Sequence, residues 1–66
     1  MKIGEKIKEL RIEKGLSQKR LGQEIGVSQK AVDYWERGVN EPKASYIIAL
    51  VNLFDITYDE FFAEIN

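Results

Sequence analysis

Two copies of the tripeptide Ser-Gln-Lys, at residues 17–19 and 28–30, form the most distinctive polar pattern in this chain of 66 residues. A hydroxyl, a carboxamide and an ammonium group supply hydrogen bonds and a positive charge. Gly26 stands shortly before the second copy, which indicates that a new element of structure starts there.

Residues that commonly carry catalysis or bind metals are scarce. The chain has no histidine and no cysteine, which excludes disulfides and the usual ligands of structural zinc. It also lacks a glycine-rich phosphate loop, and capping and the helix dipole explain the acidic pair Asp59-Glu60 at a predicted helix start. We therefore expect no enzyme activity, no metal site, no cofactor and no small-molecule ligand.

The charges are distributed unevenly along the chain, although the net charge is only −1. All ten lysines and arginines and seven of the acids lie in residues 1–43, which gives +3. Residues 44–66 hold four acids and no base, which gives −4. A basic surface on one side of the molecule would suit a polyanion. The alternative, a random scatter of charge, is disfavoured by the lack of any base after Lys43.

The length of the chain allows one domain, which we expect to span residues 1–66. A chain of this size buries only about 60% of its unfolded surface, so its stability depends on well-packed helices or on a partner. The start lacks the apolar segment of a secretory signal. The longest apolar run, Tyr46–Val51, is far shorter than the ~20 residues that span a bilayer. We expect a cytoplasmic protein that does not insert into membranes.

Apolar spacing and capping residues predict three helices in the first half of the chain. The first is predicted over residues 2–14. The second and third begin at the N-caps Ser17 and Ser28. Gly26 and Gly38 end them. The short connection between the second and third helices predicts a sharp crossing rather than an antiparallel hairpin.

Two more helices are predicted after Pro42, which bars helix before it. Residues 44–54 carry apolar side chains at helical spacing, and Thr57 and Glu60 have the spacing of a capping box that opens a fifth helix. No strand or hairpin signal is present. The predicted fold is therefore all-α, with five helices.

The stretch from Arg11 to Pro42 resembles the Cro/repressor-type helix-turn-helix family, also called the xenobiotic-response-element family. The resemblance is carried by Leu16-Ser17-Gln18, Leu21-Gly22, Gly26-Val27-Ser28, Trp35-Glu36, Gly38 and Pro42. It continues through residues 49–62. It implies a five-helix repressor-like bundle with a central helix-turn-helix. It also implies a sequence-specific transcriptional regulator, expected to be a repressor, that binds a two-fold operator in double-stranded DNA as a homodimer.

The resemblance further implies that the third helix enters the major groove. The residues that would meet base edges are Gln29, Lys30, Asp33 and Tyr34. The residues that would meet the DNA backbone are Gln18, Lys19, Ser28, Arg37 and Asn40. Glutamine can pair with adenine and lysine can reach guanine acceptors. The alternative is that these are ordinary solvated side chains. The loop at residues 39–41 lacks the basic residues common in the family, which weakens the expected phosphate contacts.

An ion pair is expected between the first and third helices. Arg11 extends the apolar stripe of Ile3 and Ile7, and Glu36 extends the stripe of Val32. Charges on inward faces are normally paired. The family also tends to carry arginine and glutamate at these two positions.

Apolar residues in excess of one core predict a homodimer through the C-terminal helices. The residues expected at the interface are Tyr46, Leu53, Tyr58 and Phe62. The alternative is that they close the protein's own core. A second reading of the whole chain is a helix-turn-helix module that binds a protein, such as an antitoxin or an antirepressor. The low net charge and the acidic loop are compatible with that reading.

Overall fold

A computed structural model describes residues 1–65 and contains five helices. They are α1 (Ile3–Glu13), α2 (Gln18–Ile25), α3 (Gln29–Arg37), α4 (Ala44–Phe54) and α5 (Tyr58–Phe62). Residues 1–65 contain no strand. The all-α prediction is confirmed, and the predicted bounds of α1 are each one residue too wide.

Side-chain hydroxyls begin three of the five helices, as predicted. The Ser17 hydroxyl accepts a hydrogen bond from the amide of Arg20 at 3.0 Å, and Ser28 caps α3 in the same way. Thr57 and Glu60 form a reciprocal capping box, with both hydrogen bonds at 3.0 Å. The two copies of Ser-Gln-Lys are thus two helix starts.

Residues with left-handed backbone end the second, third and fourth helices. Gly26 and Gly38 follow α2 and α3 with φ of 82° and 76°, a conformation that glycine adopts without a steric penalty. Asp55 ends α4 with φ of 55°. Nothing in the sequence indicated this role for Asp55, because aspartate adopts the left-handed conformation far less often than glycine does.

Every helix contributes to one hydrophobic core. The buried apolar residues are Ile7, Leu21, Val32, Trp35, Leu50, Val51 and Phe61. All lie on the stripes that the apolar spacing predicts. Lys6, which was not expected inside, is only 9% exposed, and its Nζ lies 3.6 Å from a carboxylate oxygen of Glu9.

Two glycines allow backbones to approach closely around α3. A Cβ added to Gly4 of α1 would overlap the carbonyl oxygen of Trp35, and one added to Gly22 of α2 would lie 2.5 Å from the carbonyl oxygen of Val27. Both contacts involve backbone, which cannot easily move aside. These glycines therefore help to fix α3 against α1 and α2. No helix within residues 1–65 is long and apolar enough to cross a membrane.

Candidate nucleic-acid interface

The third helix has one buried and one exposed face, which decides which of its side chains a ligand could meet. Val32 is fully buried and Trp35 is 5% exposed. Gln29 and Lys30, in the first turn, are exposed. The start of α3 therefore presents a carboxamide and an ammonium group to solvent.

An ion pair holds α1 against α3 on the inner side of this helix. Nε and Nη2 of Arg11 donate to the two carboxylate oxygens of Glu36 at 2.7 and 3.0 Å. Nη1 donates to the carbonyl oxygen of Leu16 at 2.8 Å. The Arg11 side chain is 12% exposed and that of Glu36 is 3% exposed. The hydrogen bond to Glu36 raises the pKa of Arg11 above its ordinary value, although burial acts in the opposite direction.

Gln18, predicted at the DNA backbone, is half-buried and bonded within the protein. Its Nε2 donates to Oε1 of Glu36 at 3.1 Å and to Oδ1 of Asp33 at 3.3 Å. Both amide hydrogens are therefore directed at carboxylates, and only the amide oxygen is left for a ligand. A phosphate would have to compete with Glu36 and Asp33 for the amide of Gln18.

Asp33 and Tyr34, both predicted at base edges, are half-buried and lie beside cations. Nε of Arg37 donates to Oδ2 of Asp33 at 2.9 Å. Nζ of Lys30 lies 5.4 Å, and Cζ of Arg37 lies 5.3 Å, from the centre of the Tyr34 ring. Both distances allow cation–π attraction. The structure thus brings Lys30, Asp33, Tyr34 and Arg37 together on α3.

The other residues predicted at the DNA backbone are accessible to solvent. Lys19 and Asn40 are exposed, at the start of α2 and in the loop after α3. Ser28 is also exposed. Its hydroxyl oxygen accepts from the amide of Ala31 at 3.1 Å, and its hydrogen is still available to donate.

A groove of about 660 Å³ runs beside α3 and includes a residue that the sequence analysis did not assign to the site. Lys30 and Tyr34 line it from α3, and Asn40 and Lys43 line it from the loop that follows. Lys43 is the N-cap residue of α4, and its side chain makes no capping hydrogen bond there. Its place as the last base of the chain was the signal that could have identified it.

The four residues predicted at a dimer interface differ in exposure. Tyr58 is 49% exposed and Phe62 is 39% exposed. Tyr46 and Leu53 are half-buried and pack against the core. The Tyr46 ring lies 5.6 Å from that of Trp35. Tyr58 and Phe62 therefore offer more apolar surface to a partner than Tyr46 and Leu53 do.

The interior holds no polar group that is left over for a ligand. Within residues 1–65, every buried side-chain nitrogen and oxygen has a hydrogen-bond partner. The same part of the chain has no group of three or more acids placed to hold a metal ion.

Comparison with known proteins identifies one matching family model. It is the model HTH_3, described as helix-turn-helix, and it matches residues 7–61. These residues include every predicted DNA contact.

Two relatives of the chain are named as transcriptional regulators. It is 33% identical over 60 residues to the HTH-type transcriptional activator BcrR of Enterococcus faecalis, a match that covers 91% of this chain and 29% of BcrR. It is 32% identical over 60 residues to the uncharacterized HTH-type transcriptional regulator RP497 of Rickettsia prowazekii, covering 91% of this chain and 46% of that protein. The chain thus spans less than half the length of these relatives.

Solved structures of a repressor share the five-helix fold. The P22 c2 repressor in complex with a synthetic operator superposes with a TM-score of 0.84, at 31% identity and 92% coverage of both chains. The solution structure of the P22 c2 DNA-binding domain gives a TM-score of 0.88 at 30% identity, covering 97% of this chain and 84% of that domain.

Proposed function

Since the family model HTH_3 matches residues 7–61, the chain belongs to this helix-turn-helix family, and we propose that it is a sequence-specific regulator of transcription that binds double-stranded DNA. The names of its relatives and the operator complex of a similar repressor support this proposal. Residues 1–66 would form the DNA-binding domain.

The observation that carries the proposal is the first turn of α3. Ser28 caps the helix, the ion pair of Arg11 and Glu36 holds its inner face, and Gln29 and Lys30 project outward from its start. A recognition helix reads bases with residues near its N-terminus. Gln29 would pair with adenine and Lys30 with guanine, each contact discriminating against a wrong base by about 1–3 kcal/mol.

The remaining polar residues would position the protein on the DNA backbone. Lys19 lies at the start of α2 and Arg37 at the end of α3. In this arrangement they would contact phosphates on either side of the major groove. Phosphate contacts fix the register of the protein but carry little sequence information. Asn40 and Lys43 would add contacts from the loop after α3.

We further propose that two copies bind a two-fold operator. The longest dimension of the molecule is 26 Å, whereas half-sites in operators of this kind lie about 34 Å apart. One copy therefore cannot reach both half-sites. Tyr58 and Phe62 of α5 offer the apolar surface through which two copies would meet. Sedimentation that shows a monomer at millimolar concentration would contradict the dimer.

A repressor is the simpler regulatory role. Occupancy of a site that overlaps a promoter is enough to block transcription, whereas activation requires a further contact with the transcription machinery. One relative is named an activator and one similar structure is a repressor. A reporter gene placed behind the selected operator would distinguish the two roles by the sign of the change.

The proposed function is tested by selecting bound sequences from a random duplex library and measuring affinity against salt concentration. We expect one two-fold motif and an affinity that falls steeply as salt rises, because phosphate contacts release counterions. Gln29→Ala and Lys30→Ala should each change the selected motif. Lys19→Ala should weaken all sequences alike and lower the salt slope by about 1.

Lys8→Ala is a matched control, because Lys8 is an exposed lysine of α1 outside the proposed interface. It should leave the motif unchanged. Failure of the wild-type chain to select any motif would refute DNA reading and favour the second candidate, a module that binds a protein partner. A changed motif with Lys19→Ala alone would mean that the placement of α2 and α3 on DNA is reversed.

A further inference from the structure

We propose that Asp33 reads no base and is instead a positioning residue: Gln18 holds it, and it orients Arg37 toward a phosphate of the DNA backbone. This inference rests on the proposed function and assigns a different role to two residues of the same interface. Asp33 was expected at a base edge and Gln18 at the DNA backbone, but both side chains form hydrogen bonds within the protein.

Both oxygens of Asp33 already have donors inside the protein. Oδ1 accepts from Nε2 of Gln18 at 3.3 Å, and Oδ2 accepts from Nε of Arg37 at 2.9 Å. A carboxylate would read cytosine by accepting from its amino group. Asp33 could do so only by releasing one of these donors or by sharing an oxygen with it.

Gln18 links Asp33 to the buried ion pair. The same Nε2 that donates to Asp33 also donates to Glu36 at 3.1 Å. Glu36 is held in turn by Arg11 through two hydrogen bonds, and its side chain is 3% exposed. A continuous series of hydrogen bonds therefore runs from the buried ion pair to Asp33 at the surface.

Arg37 is held on two sides and is still exposed. Its Nε is bonded to Asp33, its guanidinium lies 5.3 Å from the centre of the Tyr34 ring, and its side chain is 58% exposed. With Nε occupied, the edge formed by the two terminal nitrogens remains for a ligand. Two parallel donors on a planar cation match two oxygens of a phosphate.

The position of Arg37 favours a phosphate over a base. Arg37 is the last residue of α3, whereas base contacts come from the N-terminal part of a recognition helix. Lys30, whose Nζ also lies near the Tyr34 ring, is seven residues earlier. That separation is about 10 Å along the helix axis. Arg37 is therefore placed toward the edge of the groove.

A free arginine side chain loses rotamer freedom when it binds, and that loss weakens the complex. Asp33 and Tyr34 restrict the Arg37 side chain before DNA binds. Part of its rotamer freedom is therefore already lost in the folded protein. We expect the restriction to account for part of the roughly 3- to 10-fold by which Arg37 strengthens binding. The gain should be the same for every DNA sequence, since a phosphate is present at each position.

The test is a double-mutant cycle on affinity for the selected duplex, using Asp33→Ala and Arg37→Ala. Arg37→Ala should weaken binding by about 3- to 10-fold and lower the salt slope by about 1. In the Asp33→Ala background, the same change should cost clearly less. Asp33→Asn keeps an oxygen that can accept from Arg37, so it should retain most of the coupling. The motif selected by Asp33→Ala should equal that of the wild-type chain.

Gln18 is tested in the same way. Gln18→Ala should weaken binding when Asp33 is present and should have little effect in the Asp33→Ala background. If the amide of Gln18 gripped a phosphate directly, its removal would cost the same in both backgrounds, and the role assigned to Gln18 would be wrong.

A measurement on the free protein separates this inference from the proposed function. The Nε–H signal of Arg37 in nuclear magnetic resonance spectra should exchange slowly with water, and faster in Asp33→Ala and Gln18→Ala. Arg20 is the control, because it pairs with Glu24 outside this series of hydrogen bonds, at 2.8 Å. Its signal should not change.

Three results would overturn the inference while wild-type binding to DNA is intact. They are an additive cycle, a greater cost of Arg37→Ala once Asp33 is removed, and a change of motif at a single base pair in Asp33→Ala. The second result would mean that Asp33 competes with phosphate for Arg37. If the wild-type chain binds no duplex, the proposed function fails and so does the role of Arg37 toward phosphate, whereas the Arg37 signal still reports whether Asp33 and Gln18 hold its side chain.

Discussion

Removal of Arg11 should destabilise the protein more than any surface change, because it strands a buried carboxylate. Glu36 would lose two of its three side-chain hydrogen bonds and keep only that from Gln18. Its side chain is 3% exposed in the folded protein, so the carboxylate depends on these donors and not on solvent. Breaking a buried pair in this way costs about 3–5 kcal/mol. We expect Arg11→Ala to lower the free energy of unfolding by about 4 kcal/mol.

The reverse change should cost less, because Arg11 retains a partner. In Glu36→Ala the guanidinium still donates to the carbonyl oxygen of Leu16, and its side chain, at 12% exposed, lies nearer to water. We expect a cost of about 3 kcal/mol. The double variant strands no charge but loses the packing of both side chains, so it should cost about 4–5 kcal/mol, less than the two single changes added together. The coupling energy would then be about 2–3 kcal/mol.

Urea unfolding followed by the fluorescence of Trp35 measures these differences, since Trp35 is the only tryptophan and is buried beside Glu36. A domain of this length has a total stability of about 3–10 kcal/mol. All variants are therefore measured in the same concentration of a stabilising osmolyte, which keeps the weakest of them folded. Arg11→Lys is a milder probe, because lysine cannot form the paired hydrogen bonds of arginine.

The pair of Arg20 and Glu24 is the matched control. Its Nε–Oε2 distance of 2.8 Å is nearly that of the buried pair, but its side chains are 61% and 35% exposed. Its coupling should be only about 0.3–0.5 kcal/mol and should fall with salt. Equal coupling in the two pairs, or additive costs for Arg11→Ala and Glu36→Ala, would refute the reasoning from burial.

The pKa of Arg11 gives the sign of the pH dependence. A group whose pKa is raised by folding stabilises the folded state below its unfolded pKa, and this contribution is lost as pH rises through the folded value. Arginine titrates far above neutrality, and folding moves the pKa of Arg11 higher still. The contribution of Arg11 to the coupling energy should therefore be constant at pH values near neutrality.

Three further changes test the backbone and the caps. Gly4→Ala should cost more than about 2 kcal/mol, because the added methyl group overlaps the carbonyl of Trp35; an unchanged urea midpoint would contradict this close approach. Asp55→Gly should stabilise the protein by about 0.5–1 kcal/mol, because glycine adopts the positive φ of that residue without strain; calorimetry should show a higher melting temperature. Ser28→Ala should cost about 1 kcal/mol through loss of the bond to the Ala31 amide, and Ser28→Asp should restore most of it in the same urea experiment.

Features encoded by residues close together in the sequence were predictable. Ser17 and Ser28 indicate helix starts because their hydroxyl oxygens accept hydrogen bonds from amides three residues later. Gly26 and Gly38 indicate helix ends because glycine readily adopts the positive φ found there. The close approach at Gly4 was not predictable, since it depends on the path of a residue 31 positions away in the sequence.

The site was predictable only in part, because the direction of a polar side chain depends on its neighbours in space. Arg11 and Glu36 could be paired in advance, since each is a charge on an otherwise apolar stripe. Gln18 and Asp33 carry no such signal. Neither lies on the apolar stripe of its helix, and the packing of α2 against α3 brings them within hydrogen-bond distance.

The acidic end of the molecule has a consequence for the ionic strength at which an operator is occupied. Asp59 and Glu60 are exposed between Tyr58 and Phe62 on α5. In the proposed dimer these acids would face acids of the second copy, and salt would screen their repulsion and favour association. Salt also weakens the proposed contacts of the basic residues with phosphate. At protein concentrations near the dissociation constant of the dimer, occupancy should therefore pass through a maximum as salt rises, instead of falling throughout.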